Sequence, residues 1–488
     1  MLKNDTICAL ATAIGGALGI IRISGPKSFD AVSSICTLHC EDCEANTIHF
    51  THITSDSGEI IDEVLVSIFR TPHSYTGENS IEISCHGSAY ILNKVLSMLI
   101  ANGCRQAQPG EFTMRAYLNG RIDLSQAEAV ADLIASTNQA NHKLAMSQLR
   151  GQFSSELSLL RENLLKLTSL LELELDFSDH EDLQFASRKE LLYIAKTIDK
   201  RVSELAASFK AGNAIKQGIP VAIVGKTNVG KSTLLNYLLK DDRAIVSNIH
   251  GTTRDIIEDV IDIQGISFRF IDTAGIRQTT DAIEQLGIRR TYQAISKARI
   301  VLWLIDTLPS QAEMAEMAEK SKDKALIIAW NKIDKIDNSY MQLDVSESLS
   351  VPYTKILRIS AKYGTNLDLL ENAIYQAADL PKFHENSTIV TSIRHYDALV
   401  KAQESISRFI EGLNMGLSGD LLAEDLRLTL TYLAEITGGQ ITTNEMLGNI
   451  FITIRIYMDI IKKHILAVFI RDSSVVIVYN TYSAVRGR

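Results

Sequence analysis

The spacing of apolar and polar positions changes three times along the 488-residue chain. Up to about residue 119 it alternates. "EVLVSIF" (63–69) and "SIEISCHG" (80–87) switch at nearly every step, the period of a half-buried strand, with "TPHS" and "TGEN" as turn signals around them. "ICALATAIGGALGII" (7–21) predicts a buried strand–turn–strand, and "AYILNKVLSMLIANG" predicts an amphipathic helix ended by Gly103. From Leu124 the period lengthens to three and four. Ser125 with Glu128 has capping-box spacing, and Leu157, Leu160, Leu164, Leu167 and Leu171 form one stripe. Leu191, Ile194, Ile198, Val202 and Leu205 form another, and such stripes predict bundle core. At Gly218 the pattern changes again. Short apolar runs, "VAIVG", "FRFID", "RIVLWLID" and "ALIIAWNKID", alternate with helical segments until about residue 380, which predicts a parallel sheet of short buried strands. After Pro381 the helices return in "HYDALVKAQESISRFIEGL" and "LAEDLRLTLTYLAEIT".

The expectation is a multidomain α/β plus all-α protein in which an α/β module interrupts a helical domain. The predicted segments are 1–119, 120–216 (helical, first part), 217–381 (the inserted module), 382–451 (helical, second part) and a tail, 452–488. Composition adds little: 46% hydrophobic and 22% charged residues are ordinary for a chain with real cores. A net charge of −9 means that any nucleic-acid contact uses a local basic patch or a partner's surface. Asp5 argues against a secretory leader, and no apolar run approaches the ~20 residues of a membrane span, so a cytoplasmic protein is expected. All six cysteines lie in the first quarter, which is no disulfide framework. "CTLHCEDC" (36–43) does have the C-x3-C-x2-C spacing of an iron–sulfur ligand set, with His39 beside it, so a radical-SAM enzyme stands as one alternative against chance clustering in a loop.

The chemistry is carried by the inserted module. "GKTNVGKS" (225–232) is a P-loop in its required place, after a strand and before a helix. Backbone N–H groups across Asn228, Val229, Gly230 and Thr233 cradle phosphates, Lys231 reaches the β- and γ-phosphates, and Ser232 offers an oxygen to Mg²⁺. "DTAG" brings Asp272, Thr273, Ala274 and Gly275 to the γ-phosphate and the metal. "NKID" (Asn331, Lys332, Ile333, Asp334) ends another strand. Its aspartate can accept from both N1–H and the 2-amino group of guanine, a pair that adenine lacks. "SAK" (Ser360, Ala361, Lys362) would bring a backbone N–H to the guanine oxygen. Between P-loop and DTAG, "VSNIHGTTRD" forms the switch segment, in which Thr253 is the second Mg²⁺ hydroxyl. Together these motifs predict GTP. One gap remains: Ile276 follows Gly275 where many GTPases carry a water-orienting Gln.

Over roughly residues 1–451 the chain resembles the MnmE (TrmE) family of tRNA-modification GTPases. The likeness rests on "DTICALAT", "GIIRISG", "SYTGE", the long "PGEFTMRAYLNGRIDLSQAEAVADLI", and "GKTNVGKSTLLN" with "VSNIHGTTRD". It implies a folate-binding α+β N-terminal domain that dimerises, a discontinuous helical domain and a Ras-like G domain. It also implies a homodimer, and a heterotetramer with the FAD-dependent MnmG protein. The product is an aminomethyl-type group on the wobble uridine of tRNA, its carbon drawn from 5,10-methylene- or 5-formyl-tetrahydrofolate. By matching positions, Arg22, Glu82 and Arg121 would contact folate. K⁺ would take the role of an arginine finger among Asn228, Ser247, Ile249 and Thr252, in a loop that also includes Asn248, His250 and Gly251. Glu284 would orient the water, which answers the missing Gln. The family ends in Phe-Cys-Ile-Gly-Lys, whereas this chain runs on through 452–488 without a cysteine, as a lineage-specific extension or a shifted frame. On that reading GTP hydrolysis is near normal and tRNA modification weak. A GTP-switched ribosome-assembly factor is the competing function; such factors usually carry an RNA-binding module, and nothing in this sequence resembles one.

Overall fold

The computed structural model describes residues 5–176, 188–241, 259–271, 292–335, 353, 355–380 and 388–438. They fall into two compact units that part after Ala131.

The first unit strings together β1 (Thr6–Leu10), β2 (Leu18–Ser24), α1 (Ser28–Ser33), β3 (Thr47–Thr54), β4 (Ile60–Phe69), β5 (Ser80–His86), α2 (Ala89–Ala101), β6 (Cys104–Gln106) and α3 (Glu111–Leu118). The sheet order is β3-β4-β5-β2-β1-β6, antiparallel except for the β1–β6 pair. The segment 7–21 is the strand–turn–strand its pattern predicts, and α2 gives way to Gly103 at φ 92°. Alternation sorts the side chains. Ile21, Ile23, Val64, Val66, Ile81 and Ile83 turn inward onto Leu92, Val95 and Leu99 of α2, while Arg22, Phe50, Leu65 and Glu82 lie on the other face. A charge cluster fastens the edge of this unit. Arg115 of α3, only 2% exposed, pairs with Asp5, Glu78 and Glu111, and Arg105 pairs with Asp5 and Glu111. Burial alone would raise the pKa of Asp5 and Glu111, but the two guanidiniums outweigh it and hold both carboxyls below their ordinary range.

Helix α4 (Leu124–Ala135) carries the chain onward. It has a capping box, but not at the predicted place. Asp123 is the cap: its carboxylate accepts from Gln126 N–H at 2.9 Å, and the Gln126 side chain accepts from Asp123 N–H at 2.9 Å. Ser125 lies inside the first turn, buried, and donates to the same carboxylate. The carboxylate two residues upstream outcompetes the hydroxyl because a charged acceptor suits the positive helix end better.

The second unit continues with α5 (Gln139–Leu149), α6 (Gln152–Asp176) and α7 (Arg188–Gln217), then the sheet strands and their helices. These are β7 (Ile219–Val224), α8 (Lys231–Asp241), β8 (Asp259–Ile263), β9 (Ile266–Ile271), β10 (Ile300–Ile305), α9 (Gln311–Lys320), β11 (Ala325–Trp330), β12 (Lys355–Arg358) and α10 (Leu367–Ala377). Helices α11 (Ile393–Met415) and α12 (Gly419–Thr437) follow. The leucine stripe of α6 and the apolar face of α7 meet Leu399, Ile406, Phe409, Leu426 and Leu433 of α11 and α12 in one core. The helical domain is therefore assembled from both sides of the insertion. In the α7 stripe Ile194 is only half-buried and Ala195 takes the inner position.

The inserted sheet has the order β12-β11-β10-β7-β9-β8, parallel except for the edge strand β8. Every residue of β10 is buried: Ile300, Leu302 and Leu304 face one core, Val301, Trp303 and Ile305 the other. Trp330, at the end of β11, packs against that second core with Trp303. The chain leaves β7 for β9 on one side and later for β10 on the other. The carboxyl end of β7 is thus the topological switch point, where open α/β sheets bind ligands.

Candidate functional site

The P-loop sits at that switch point. Gly225 (φ 151°) must be glycine because a Cβ there would stand 2.3 Å from the Leu304 carbonyl oxygen of β10. Gly230 (φ 104°) is pressed as closely, a Cβ meeting the Asn331 side-chain nitrogen at 2.2 Å. Asn228 lies between them, exposed and left-handed at φ 62°, a backbone state that Asn tolerates better than most residues. Lys231 opens α8 and folds its ammonium back onto the Gly225 carbonyl at 2.7 Å. Burial pushes its pKa down, so an anionic ligand would be welcomed.

Asn331 joins the P-loop to the loop after β12. Buried at the end of β11, it donates to the Val229 carbonyl of the P-loop at 2.7 Å and accepts from Ala361 N–H at 2.9 Å. The P-loop and the loop after β12 are held in register by a single amide. Asp334 accepts from the Ser360 hydroxyl at 2.6 Å, and that bond, with Lys362 and Lys335 nearby, keeps its carboxyl below the ordinary range. It stays ionised, ready to accept two further donors. Lys332 pairs with Asp306 at 2.7 Å, beyond the end of β10. The loops after β7, β10, β11 and β12 thus converge on one edge of the sheet.

A second constellation lies on the open face of the first unit. Arg22 of β2 and Glu82 of β5 are register partners and form an ion pair at 2.7 Å. The Arg22 guanidinium also lies 5.1 Å from the Tyr75 ring centroid and 5.7 Å from that of Phe112. The loop bearing Tyr75 is held from below: Arg121 donates to the Ser74 carbonyl at 3.1 Å and Asn119 to the Thr76 carbonyl at 2.8 Å. Arg22 and Glu82 bind each other rather than standing apart, and Arg121 meets them only indirectly, by fixing the loop that bears Tyr75.

Family comparison places both halves. The description "MnmE helical domain" matches residues 124–453 and "GTP-binding protein TrmE N-terminus" matches 6–121. The tRNA modification GTPase MnmE of Phocaeicola vulgatus is 51% identical, covering 92% of this chain and 98% of the relative. Those of Bacteroides thetaiotaomicron and Flavobacterium johnsoniae are 52% and 47% identical with the same coverage. The chain belongs to the MnmE family of tRNA modification GTPases. In MnmE terms the Arg22 constellation falls within the N-terminal match, and the two helical segments fall within the helical match on either side of the G domain.

The P-loop residues, Asn331 to Asp334 and Ser360 to Lys362 are brought together. Ser247 to Thr253, Asp272 to Gly275, Glu284 and the tail 452–488 lie outside the described residues. The cysteine motif does not behave as a metal site. Cys36, Cys40 and Cys43 are buried in the core of the first unit, their thiols turned to the carbonyls of Val32, Leu38 and His39, while His39 itself is exposed. Cys36 and Cys40 also contact each other, a contact that pushes the Cys40 thiol up, together with burial, and pulls the Cys36 thiol down against it. No group of three or more potential ligands is arranged to hold a metal among the described residues. The radical-SAM alternative is set aside by the family match, which covers the cysteine segment within residues 6–121. Two residues escaped the sequence reading, Tyr75 and Phe112. Each had one signal, its place in "SYTGE" or in "PGEFTMRAYLNG", but nothing local marks either ring as a neighbour of Arg22.

Proposed function

We propose that this protein hydrolyses GTP in the cytoplasm to drive modification of carbon 5 of the wobble uridine of tRNA. The observation that carries the proposal is Asn331, which ties the P-loop to the loop after β12 in a chain 51% identical to a tRNA modification GTPase. Ser232 and Thr253 hold Mg²⁺ against the phosphates. Asn228, with the Ser247, Ile249 and Thr252 positions, holds K⁺; an exposed amide in a left-handed turn supplies the oxygen-type ligand that such an ion needs. Glu284 orients the attacking water in place of the missing Gln.

The N-terminal unit receives the tetrahydrofolate, as the 5,10-methylene or 5-formyl form. Its Arg22–Glu82 pair offers charged donors and acceptors beside the Tyr75 and Phe112 rings, a donor set suited to a flat heterocycle with polar edges. Folate supplies the one-carbon unit when bound; Arg22 and Glu82 orient it and Arg121 fixes the loop. The protein acts as a homodimer and as a heterotetramer with the FAD-dependent MnmG protein, adding a carboxymethylaminomethyl or aminomethyl group. Mass spectrometry of tRNA nucleosides from cells with and without the gene is the test. Unchanged wobble uridines in the deletion would sink the proposal. Equal GTP turnover in KCl and NaCl would sink the K⁺ assignment separately, and wild-type turnover in Glu284→Ala would sink the carboxylate.

A further inference from the structure

β8 and β9 form a hairpin that is the covalent link between the switch segment ahead of it and DTAG behind it. Its turn is Gln264–Gly265, with φ of 55° and 80°, the doubly left-handed pair of a tight two-residue hairpin. That turn does not face solvent alone. It sits against the start of α5, in the helical domain, and the contact is made of hydrogen bonds.

Asn138 caps α5: its side-chain oxygen accepts from Asn141 N–H at 2.8 Å. The nitrogen of the same amide donates to the Ser267 hydroxyl of β9 at 2.7 Å, with both residues buried. One helix donor that the cap leaves over, Ala140 N–H, goes to the Gly265 carbonyl at 3.0 Å. Helix starts expose such donors, and a helix normally satisfies them from its own flanking residues or water. Here the G-domain hairpin completes the cap. Space is tight as well: a Cβ on Gly265 would meet the Gln139 side chain at 3.2 Å.

We propose that this contact is a latch through which the helical domain reads the nucleotide state, with Asn138 and Ser267 as positioning residues. The proposal rests on the GTPase reading. GTPase switch segments are ordered by the γ-phosphate and released on hydrolysis, and the hairpin joins the two segments concerned. A pull along β9 has only four residues, 268–271, to cross between Ser267 and Asp272. Because Ala140 N–H and the Asn138 amide nitrogen have their partners on the hairpin, any shift of the turn strips these two bonds from the start of α5 and loosens the capping side chain. Coupling is reciprocal: what nucleotide does to the latch, the latch does to nucleotide affinity.

Hydrogen exchange on the full chain tests it without any variant. Amides at 139–142 should exchange about tenfold differently with GDP and with a non-hydrolysable GTP analogue, inside the 5–150-fold range of ordinary allosteric coupling. Identical exchange in the two states overturns the latch. Ser267→Ala should abolish the difference and change the ratio of analogue to GDP affinity, while each nucleotide still binds. A Ser267→Ala protein that keeps both the exchange difference and the affinity ratio also overturns it. Failure of the wild type to bind either nucleotide would instead strike the GTPase reading.

Discussion

The two sheets of this molecule solve burial in opposite ways. The G-domain sheet is covered on both faces, so β10 is apolar at every position and its side chains divide between two cores. Such a sheet has no free face for chemistry, and its site is pushed to the strand ends, where Val229, Asn331 and Ala361 meet. The N-terminal sheet buries one face. Its strands alternate, and the second face is free to carry Arg22, Glu82, Phe50 and Leu65. Where the polar groups of a sheet can work is thus decided by how many layers cover it.

Four substitutions probe that contrast. The largest effect is expected where charge is buried. Arg115→Met leaves Asp5, Glu78 and Glu111 without their shared guanidinium and should cost the N-terminal unit about 4 kcal/mol, as broken buried pairs do. Calorimetry should show its transition fall while GTP turnover persists. The same cluster sets the acid limit. The pKa values of Asp5 and Glu111 are depressed in the fold, so their contribution is complete above the ordinary carboxylate value of about 4 and is lost as pH falls below it. Arg115→Met should therefore begin acid unfolding at higher pH than the wild type; an unmoved acid limb would refute the role of the cluster. Next, Lys231→Ala should lower kcat for GTP by about 10²–10³, the usual cost of removing one preorganised donor from a developing charge. Leu302→Ala, fully buried between β7 and β11, should cost about 3 kcal/mol in a denaturant titration. Leu65→Ala, 47% exposed on the open face, should stay within about 0.5 kcal/mol. A loss of 2 kcal/mol or more at Leu65 would mean that this face is covered after all and would end the contrast.

What was legible in the sequence follows the same division. Both leucine stripes, the strands of the insertion and the P-loop were readable because each is a local repeat or a fixed spacing. Edge strand β8 was not: "DVIDI" is short and acidic, and it becomes a strand by pairing with β9. The cap of α4 went to Asp123 instead of Ser125 because two side chains competed for one helix end, and spacing does not rank them. The cysteine spacing suggested a ligand set, yet the core claimed all three thiols. The Arg22–Glu82 pair depends on strand register across 60 residues, and the Phe112 contact on tertiary packing, neither of which leaves a local trace.

The chain contains two tryptophans, and both Trp303 and Trp330 belong to the same layer of the G-domain sheet. Trp330 directly precedes Asn331, the residue that bridges the P-loop and the loop after β12. Indole emission of the whole protein is therefore a built-in optical readout of one domain, adjoining its nucleotide site. The N-terminal sheet and the helical core are silent in that channel. A single fluorescence melt of this protein would record the G domain's transition and pass over the others, so its midpoint belongs to that module alone.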